Sequence, residues 1–152
     1  MPHIHELNDY TVSAFIVHDG RVLMVDHPRY DKWLPIGGHI ELDEDPEQAL
    51  YREIQEESGL AVEIMSNKPA ALSPGHKFLL TPNFLDVHEA NSPHHHIAFV
   101  YFARAHDDAF IKSDEHRDMR WLSRDDLENS TYKLSKEVMF YALAALELAT
   151  SS

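Results

Sequence analysis

Cysteine is absent from the 152 residues, which excludes a disulfide framework, a thiolate nucleophile and any zinc site built on thiolates. No apolar run approaches the roughly 18 residues of a membrane span, and the opening MPHIHELNDY has no apolar signal-peptide core. Basic side chains are scarce: 13 Lys and Arg stand against 26 Asp and Glu, giving a formal charge of −13. That balance disfavours a nucleic-acid or membrane-surface footprint, since both need clustered Lys and Arg. The expectation is a soluble, cytoplasmic protein with no nucleic-acid and no membrane partner. A small phosphorylated substrate delivered with its own metal remains compatible with the charge, and the 12 histidines lower it near about pH 6.

At this length one domain, 1–152, suffices, with about 68–70% of the unfolded surface buried. Tyr10–Val17 and Arg21–Val25 are β-rich runs joined through Asp19-Gly20, a hairpin signal. A polar loop, His27–Lys32, then leads through Trp33, Leu34, Pro35 and Ile36 to a glycine pair. Ala61–Met65 reads as a strand, 66–77 as a loop, and Phe78–Val87 as an apolar stretch interrupted by Pro82 and Asn83. Asn91-Ser92-Pro93 makes a turn before the strand His96–Ala105, which pairs with the Phe78 region. Alternation gives that strand two apolar faces, Ala98, Val100 and Phe102 against Ile97, Phe99, Tyr101 and Ala103, as in a sheet covered on both sides. After a charged loop, 107–117, come a short strand at Met119–Leu122, a capped helical turn at Ser123–Glu128 and a closing helix, Ser135–Ala149. Strands alternating with two principal helices indicate an α/β sandwich, one helix on each side of the sheet.

The chain is organised around Gly37–Leu60, GGHIELDEDPEQALYREIQEESGL. Asp45 is a good N-cap, Pro46 suits the first turn, Gln48 completes a capping box and Gly59 supplies the left-handed stop, so a helix is predicted over about Pro46–Ser58. At about 100° per residue, Glu53, Glu56 and Glu57 share an arc with Ala49, beside Leu50 and Ile54, while Gln48, Tyr51 and Gln55 face away. The three carboxylates are thus expected to lean toward the body of the protein. Like charges at i,i+4 repel, more strongly where water is partly excluded, and Arg52 offsets only part of that. A hard cation would neutralise the rest, because Mg²⁺ or Mn²⁺ takes carboxylate, backbone carbonyl and water oxygens. Gly37 and Gly38 allow the close approach that a carbonyl ligand needs.

Gly38, Glu44, Arg52, Glu53, Ile54, Glu56, Glu57, Gly59 and Leu60 fit G-x5-E-x7-R-E-U-x-E-E-x-G-U, with U a bulky aliphatic, and so the stretch resembles the Nudix box at every fixed position. Chance agreement at one start point is about one in a billion from average residue usage, which sets aside a merely solvated acidic helix. The phrase RWLSRDDL, Arg120–Leu127, resembles the segment after the last strand in such proteins. The resemblance implies the Nudix-type α/β/α sandwich with a mixed central sheet. It also implies hydrolysis of a phosphoanhydride, in a nucleoside diphosphate derivative or a nucleoside triphosphate, by attack of water on phosphorus.

On that reading Glu56 and Glu57 are primary ligands of Mg²⁺ or Mn²⁺, with the Gly37 carbonyl beside them, and Glu53 is a further ligand or the base. Arg52 pairs with the glutamates and with Glu44. Some members of the family keep the base in a loop outside the box, and Glu115, with Asp114 behind it, is the candidate here; a solvated loop acid is the plainer alternative. Candidate substrate contacts are Trp33, as a base-stacking platform or as ordinary packing, and His94 or His96, as hydrogen-bond donors. His94 and His96, with His76 or His88, form an alternative transition-metal set. A catalytically silent nucleotide-binding module or sensor of the same fold competes with the enzyme, but has no need of all four box glutamates. A related isoprenyl diphosphate isomerase needs a cysteine that this chain lacks. The substrate is a small nucleotide-type molecule whose identity resides in loops 66–77, 88–95 and 106–118. Homodimers are common in the family, so a homodimer is among the expected assemblies.

Overall fold

The computed structural model describes residues 3–129 and 131–151. Eight strands form one mixed sheet: β1 (Asn8–His18), β2 (Arg21–His27), β3 (Lys32–Leu34), β4 (Ile36–His39), β5 (Val62–Ile64), β6 (Phe84–Asn91), β7 (His94–Ala105) and β8 (Asp118–Ser123). Three helices accompany it: α1 (Pro46–Ser58), α2 (Arg124–Glu128) and α3 (Lys136–Thr150). The central pair, β1 and β7, runs parallel from Asn8↔His95 to Val17↔Arg104, whereas the other pairings are antiparallel.

Local chemistry explains the elements. Asp19 and Gly20 both take positive φ, 50° and 72°, as a two-residue hairpin turn between β1 and β2 requires. The Asp45 side chain accepts from the Gln48 N–H while the Gln48 side chain reaches back, so the capping box forms, and Gly59 at φ 66° closes α1. Ser123 caps α2 with a second capping box, through Asp126, and the Ser135 side chain caps α3 by accepting from the Val138 N–H.

β1 exchanges partners along one edge. Its last residues pair with β2, whereas Thr11–Ala14 pair with β4, so β2 splays away to join β3 and β8. The fork lets β4 enter beside β1 and brings the glycine pair under α1. One face packs Leu50, Ile54 and Ala49 of α1 on Val12, Ile36 and Tyr101; the other packs Ala142, Ala145 and Leu146 of α3 on Phe15, Val100 and Phe102. Both expected faces of β7 are thus covered, and the architecture is the α/β/α sandwich. Leu50 is fully buried, which makes its truncation to alanine worth about 2–5 kcal/mol of stability.

Three segments depart from the reading of the sequence. Trp33 and its neighbours, expected to lead loosely into the glycines, form β3 and β4. The Phe78 stretch becomes a strand only from Phe84, because Pro82 offers no N–H to a ladder. Residues 78–82 instead lie against the start of α1, where the Leu80 N–H donates to Glu47 and the Tyr101 hydroxyl to the Leu80 carbonyl. β7 begins at His94, two residues before the expected start. Among the described residues, no helix is long and apolar enough to cross a membrane.

Candidate active site

Consecutive residues of β4 alternate across the sheet, and this alternation builds the site. Gly38 pairs with Val12 and turns toward α1; His39 pairs with Thr11 and turns to the face under α3. A Cβ on Gly38 would lie 2.3 Å from Glu53 Oε1, so only glycine leaves room for the carboxylate. Gly37 is restricted for another reason, since its Cβ would lie 2.2 Å from the Val12 carbonyl oxygen.

Arg52 ties the acids together. Its Nε and Nη2 donate to Glu44 at 2.6 and 2.9 Å, Nη1 donates to Glu53 at 2.9 Å and to Glu56 at 3.2 Å, and Nη2 also donates to the His39 carbonyl at 3.0 Å. Glu44 and Arg52 therefore pair, as their spacing suggests. Glu53 and Glu57 do lean inward, with side chains 12% and 6% exposed, but Glu56 is 60% exposed. The expectation that all three carboxylates face the body is corrected: residues four apart share the buried stripe, and Glu56 sits on its rim.

Burial has an electrostatic consequence. The Glu53 carboxyl is pushed up to about 8, first by burial and then by Glu57, against the pull of Arg52. Glu57 is pushed up to about 7, again chiefly by burial, with Glu115 and Glu56 adding repulsion and the Glu53 side chain and Gly37 backbone opposing it. Two acids that resist ionising together within one cradle form a site that favours a cation.

Loop 106–117 packs against the end of α1, where the Ile111 N–H donates to the Ser58 carbonyl. Glu115 reaches the cradle: single ligand atoms of Glu57, Glu115 and His116 all lie within 4.8 Å of one another. His116 was missed by the sequence reading. It is buried, its Nε2 lies 3.0 Å from Glu57 Oε2, and its Nδ1 is buried without a partner among the described residues. Burial also lowers its pKa, favouring the neutral ring. Its position next to Glu115 was the available signal, but nothing local reveals a contact with a residue 59 positions earlier.

The other candidates lie elsewhere. Trp33 packs on the α3 side of the sheet, edge-on to Tyr132 at 5.3 Å between ring centroids and beneath the Arg120 guanidinium at 5.7 Å. Its neighbour Leu34 faces α1 instead. His94 and His96 also occupy the α3 face by alternation along β7, so the structure does not bring these three side chains together with the glutamates. His76 lies apart from both histidines, against Phe78 in the loop.

The fold and the cradle define an α/β/α sandwich with a glycine strand facing a glutamate helix. The NUDIX domain family model matches residues 7–143. The chain belongs to the Nudix hydrolase family, and its sandwich is the Nudix fold. It is 31% identical over 97 residues to the CTP pyrophosphohydrolase of Escherichia coli (strain K12), a match covering 59% of this chain and 72% of that protein. It is 39% identical over 59 residues to a MutT-like protein of Streptomyces ambofaciens, covering 38% of each, so the match spans well under half of that relative. Among solved structures, a Nudix-family hydrolase from Clostridium perfringens superposes with a TM-score of 0.83 at 33% identity, covering 93% of this chain and 97% of that one.

Proposed function

We propose that the protein is a divalent-metal-dependent pyrophosphohydrolase that cleaves a phosphoanhydride in a nucleoside triphosphate or a nucleoside diphosphate derivative. One observation carries the reading. Glu53 and Glu57 are held together beside Glu115, with their carboxyls raised to about 8 and about 7, so the cradle is poorly suited to staying ionised without a cation. The residues fit Mg²⁺ or Mn²⁺: Glu53, Glu56 and Glu57, with the Gly37 carbonyl, offer the oxygen donors such ions prefer. When bound, the ion supplies charge neutralisation of the anhydride and eases deprotonation of water.

The chain's own groups supply the rest. Arg52 fixes the glutamates. Glu115, exposed at the edge of the cradle, accepts the proton as the water oxygen bonds to phosphorus and the bridging P–O bond breaks, its electron pair leaving with the departing phosphate. His116 holds Glu57 in place from behind. The E. coli relative described as a CTP pyrophosphohydrolase makes nucleoside triphosphates the first class to test.

The test is a panel of nucleoside triphosphates, ADP-ribose, dinucleoside polyphosphates and sugar nucleotides, each with Mg²⁺ and with Mn²⁺ and with the products identified. Metal-dependent cleavage of one phosphoanhydride is the expected result, giving a mononucleotide with pyrophosphate from a triphosphate, a mononucleotide with a sugar phosphate from ADP-ribose or a sugar nucleotide, or two nucleotides from a dinucleoside polyphosphate, and lost in Glu57→Gln. Nucleotide binding with no cleavage across the panel would instead identify a silent binding module.

A further inference from the structure

His88 on β6, His96 on β7, Asp9 on β1 and His39 on β4 form a row across four adjacent strands. The register sets it: His88 pairs with His96, His96 with Asp9, and the neighbouring pair Thr11↔His39 carries the row onto β4. By strand alternation all four side chains emerge on the α3 face, whereas the box glutamates belong to α1 on the other. The ligand atoms of Asp9, His39 and His96 lie within 4.8 Å of one another, and His39 Nε2 is 3.8 Å from Asp9 Oδ2. The His96 ring is 5.2 Å from that of His39 and 5.4 Å from that of His88, centroid to centroid.

We propose that Asp9, His39 and His96, with His88 as a fourth donor, form a binding site for a first-row transition metal ion of the Zn²⁺ type, separate from the Mg²⁺ or Mn²⁺ cradle. The donor chemistry distinguishes the two. Imidazole nitrogens with one carboxylate suit Zn²⁺, Ni²⁺ or Cu²⁺, whereas the all-oxygen box suits harder ions. Tetrahedral Zn²⁺ with bonds of about 2.0–2.1 Å spaces its ligands about 3.4 Å apart, so Asp9, His39 and His96 have only to draw in by about an ångström, with the His88 ring closing from beside His96. His88 Nδ1 lies 2.8 Å from Asp86 Oδ1, and such a carboxylate partner leaves Nε2 as the atom available to an ion. The Asp86 carboxylate is in turn held by the Tyr141 hydroxyl of α3. His39 is exposed, so an ion can enter from solvent.

The two sites stand back to back on β4. His39 faces one and Gly38 the other, and the His39 carbonyl accepts from Arg52. An ion on the histidine row would therefore stiffen the strand that carries the cradle.

The experiment uses the full chain stripped with a chelator, in a Glu57→Gln background that weakens the box as a competitor, titrated with Zn²⁺ against a chromogenic chelator and with Co²⁺ as a spectroscopic probe. One equivalent of Zn²⁺ is expected to bind, with a Co²⁺ visible band showing nitrogen ligation. His39→Ala and His96→Ala should each weaken binding by more than the 10- to 100-fold that losing even an outer partner costs. His39 is exposed, so its variant tests the site without threatening the fold. Unchanged Zn²⁺ affinity in both variants, or no binding in the Glu57→Gln background, overturns the site. Absent Zn²⁺ binding together with a raised KM for nucleotide in His96→Ala also overturns it, and makes the row a substrate contact. The Zn²⁺ and Co²⁺ titrations do not require that the cradle hydrolyse anything, so the site can fail or stand independently of the proposed activity.

Discussion

Gly38 and Glu53 meet so closely that a single methyl group at position 38 would overlap the carboxylate, 2.3 Å from Oε1. The neighbour that must yield is the end of a side chain, so the fold can absorb the change while the cradle cannot. Gly38→Ala is expected to fold with a melting temperature within a few degrees of the parent and to lose about 10²-fold in kcat/KM, since a displacement of about an ångström in a catalytic group costs that much. Gly37→Ala meets the rigid Val12 carbonyl at 2.2 Å and should instead lower the melting temperature sharply. Steady-state kinetics beside thermal melts decide the matter. Equal behaviour of the two variants would contradict the division of labour.

The raised carboxyls give stability a definite pH dependence. Glu53 titrates near 8 in the folded, metal-free chain and near 4.5 when unfolded. Its protonated form is favoured by folding, so the associated stability is complete below about 4.5 and is lost as pH climbs through about 8. His116 titrates the other way, lowered by burial, and loses stability as pH falls. The Glu53 contribution is therefore isolated by difference. In chelator, Glu53→Gln should gain on the parent in melting temperature as pH rises over this range, while losing metal affinity. Mg²⁺ should protect the parent more at the alkaline end, because protons must leave before it binds. Parallel melting curves for parent and variant across the range would refute the assignment.

Glu115 provides a test of the proton acceptor. Its carboxylate lies within reach of Glu57 yet belongs to an exposed loop. As the base, its replacement in Glu115→Gln should lower kcat by about 10²–10⁴ with little change in melting temperature. The acidic limb of the pH–rate profile should move as well. An activity within a few-fold of the parent would return the base to Glu53.

The box was legible because its signals are local. Asp45, Gln48 and Gly59 announce the helix within a few residues of themselves, and the i,i+4 spacing of Glu53 and Glu57 places them on the buried stripe. What stayed hidden depends on strand register. Nothing near Trp33 reveals that β3 turns its indole toward α3 and Leu34 toward α1, and the step from Gly38 to His39 assigns adjacent residues to opposite faces. The histidine pair on β7 was visible, but its partners Asp9 and His39 come from strands that sequence order does not place beside it. His116 required knowledge of how a charged loop folds back over a helix.

His116 and Glu57 form a buried pair whose removal is informative. Burial favours the neutral ring, and an ionised carboxylate can only accept, so on the proposed metal-bound reading Nε2 donates to Glu57 across the 3.0 Å contact. His116→Ala strips the donor from an acid that is 6% exposed. Lost positioning of this kind costs about 10- to 100-fold in metal affinity or activity. His116→Asn, which keeps an N–H donor on a shorter side chain, should recover part of the loss. The decisive readout is the Mg²⁺ concentration needed for half-maximal rate, which should rise in His116→Ala and fall back toward the parent in His116→Asn. A purely structural histidine would lower the melting temperature of both variants and leave that concentration where it was.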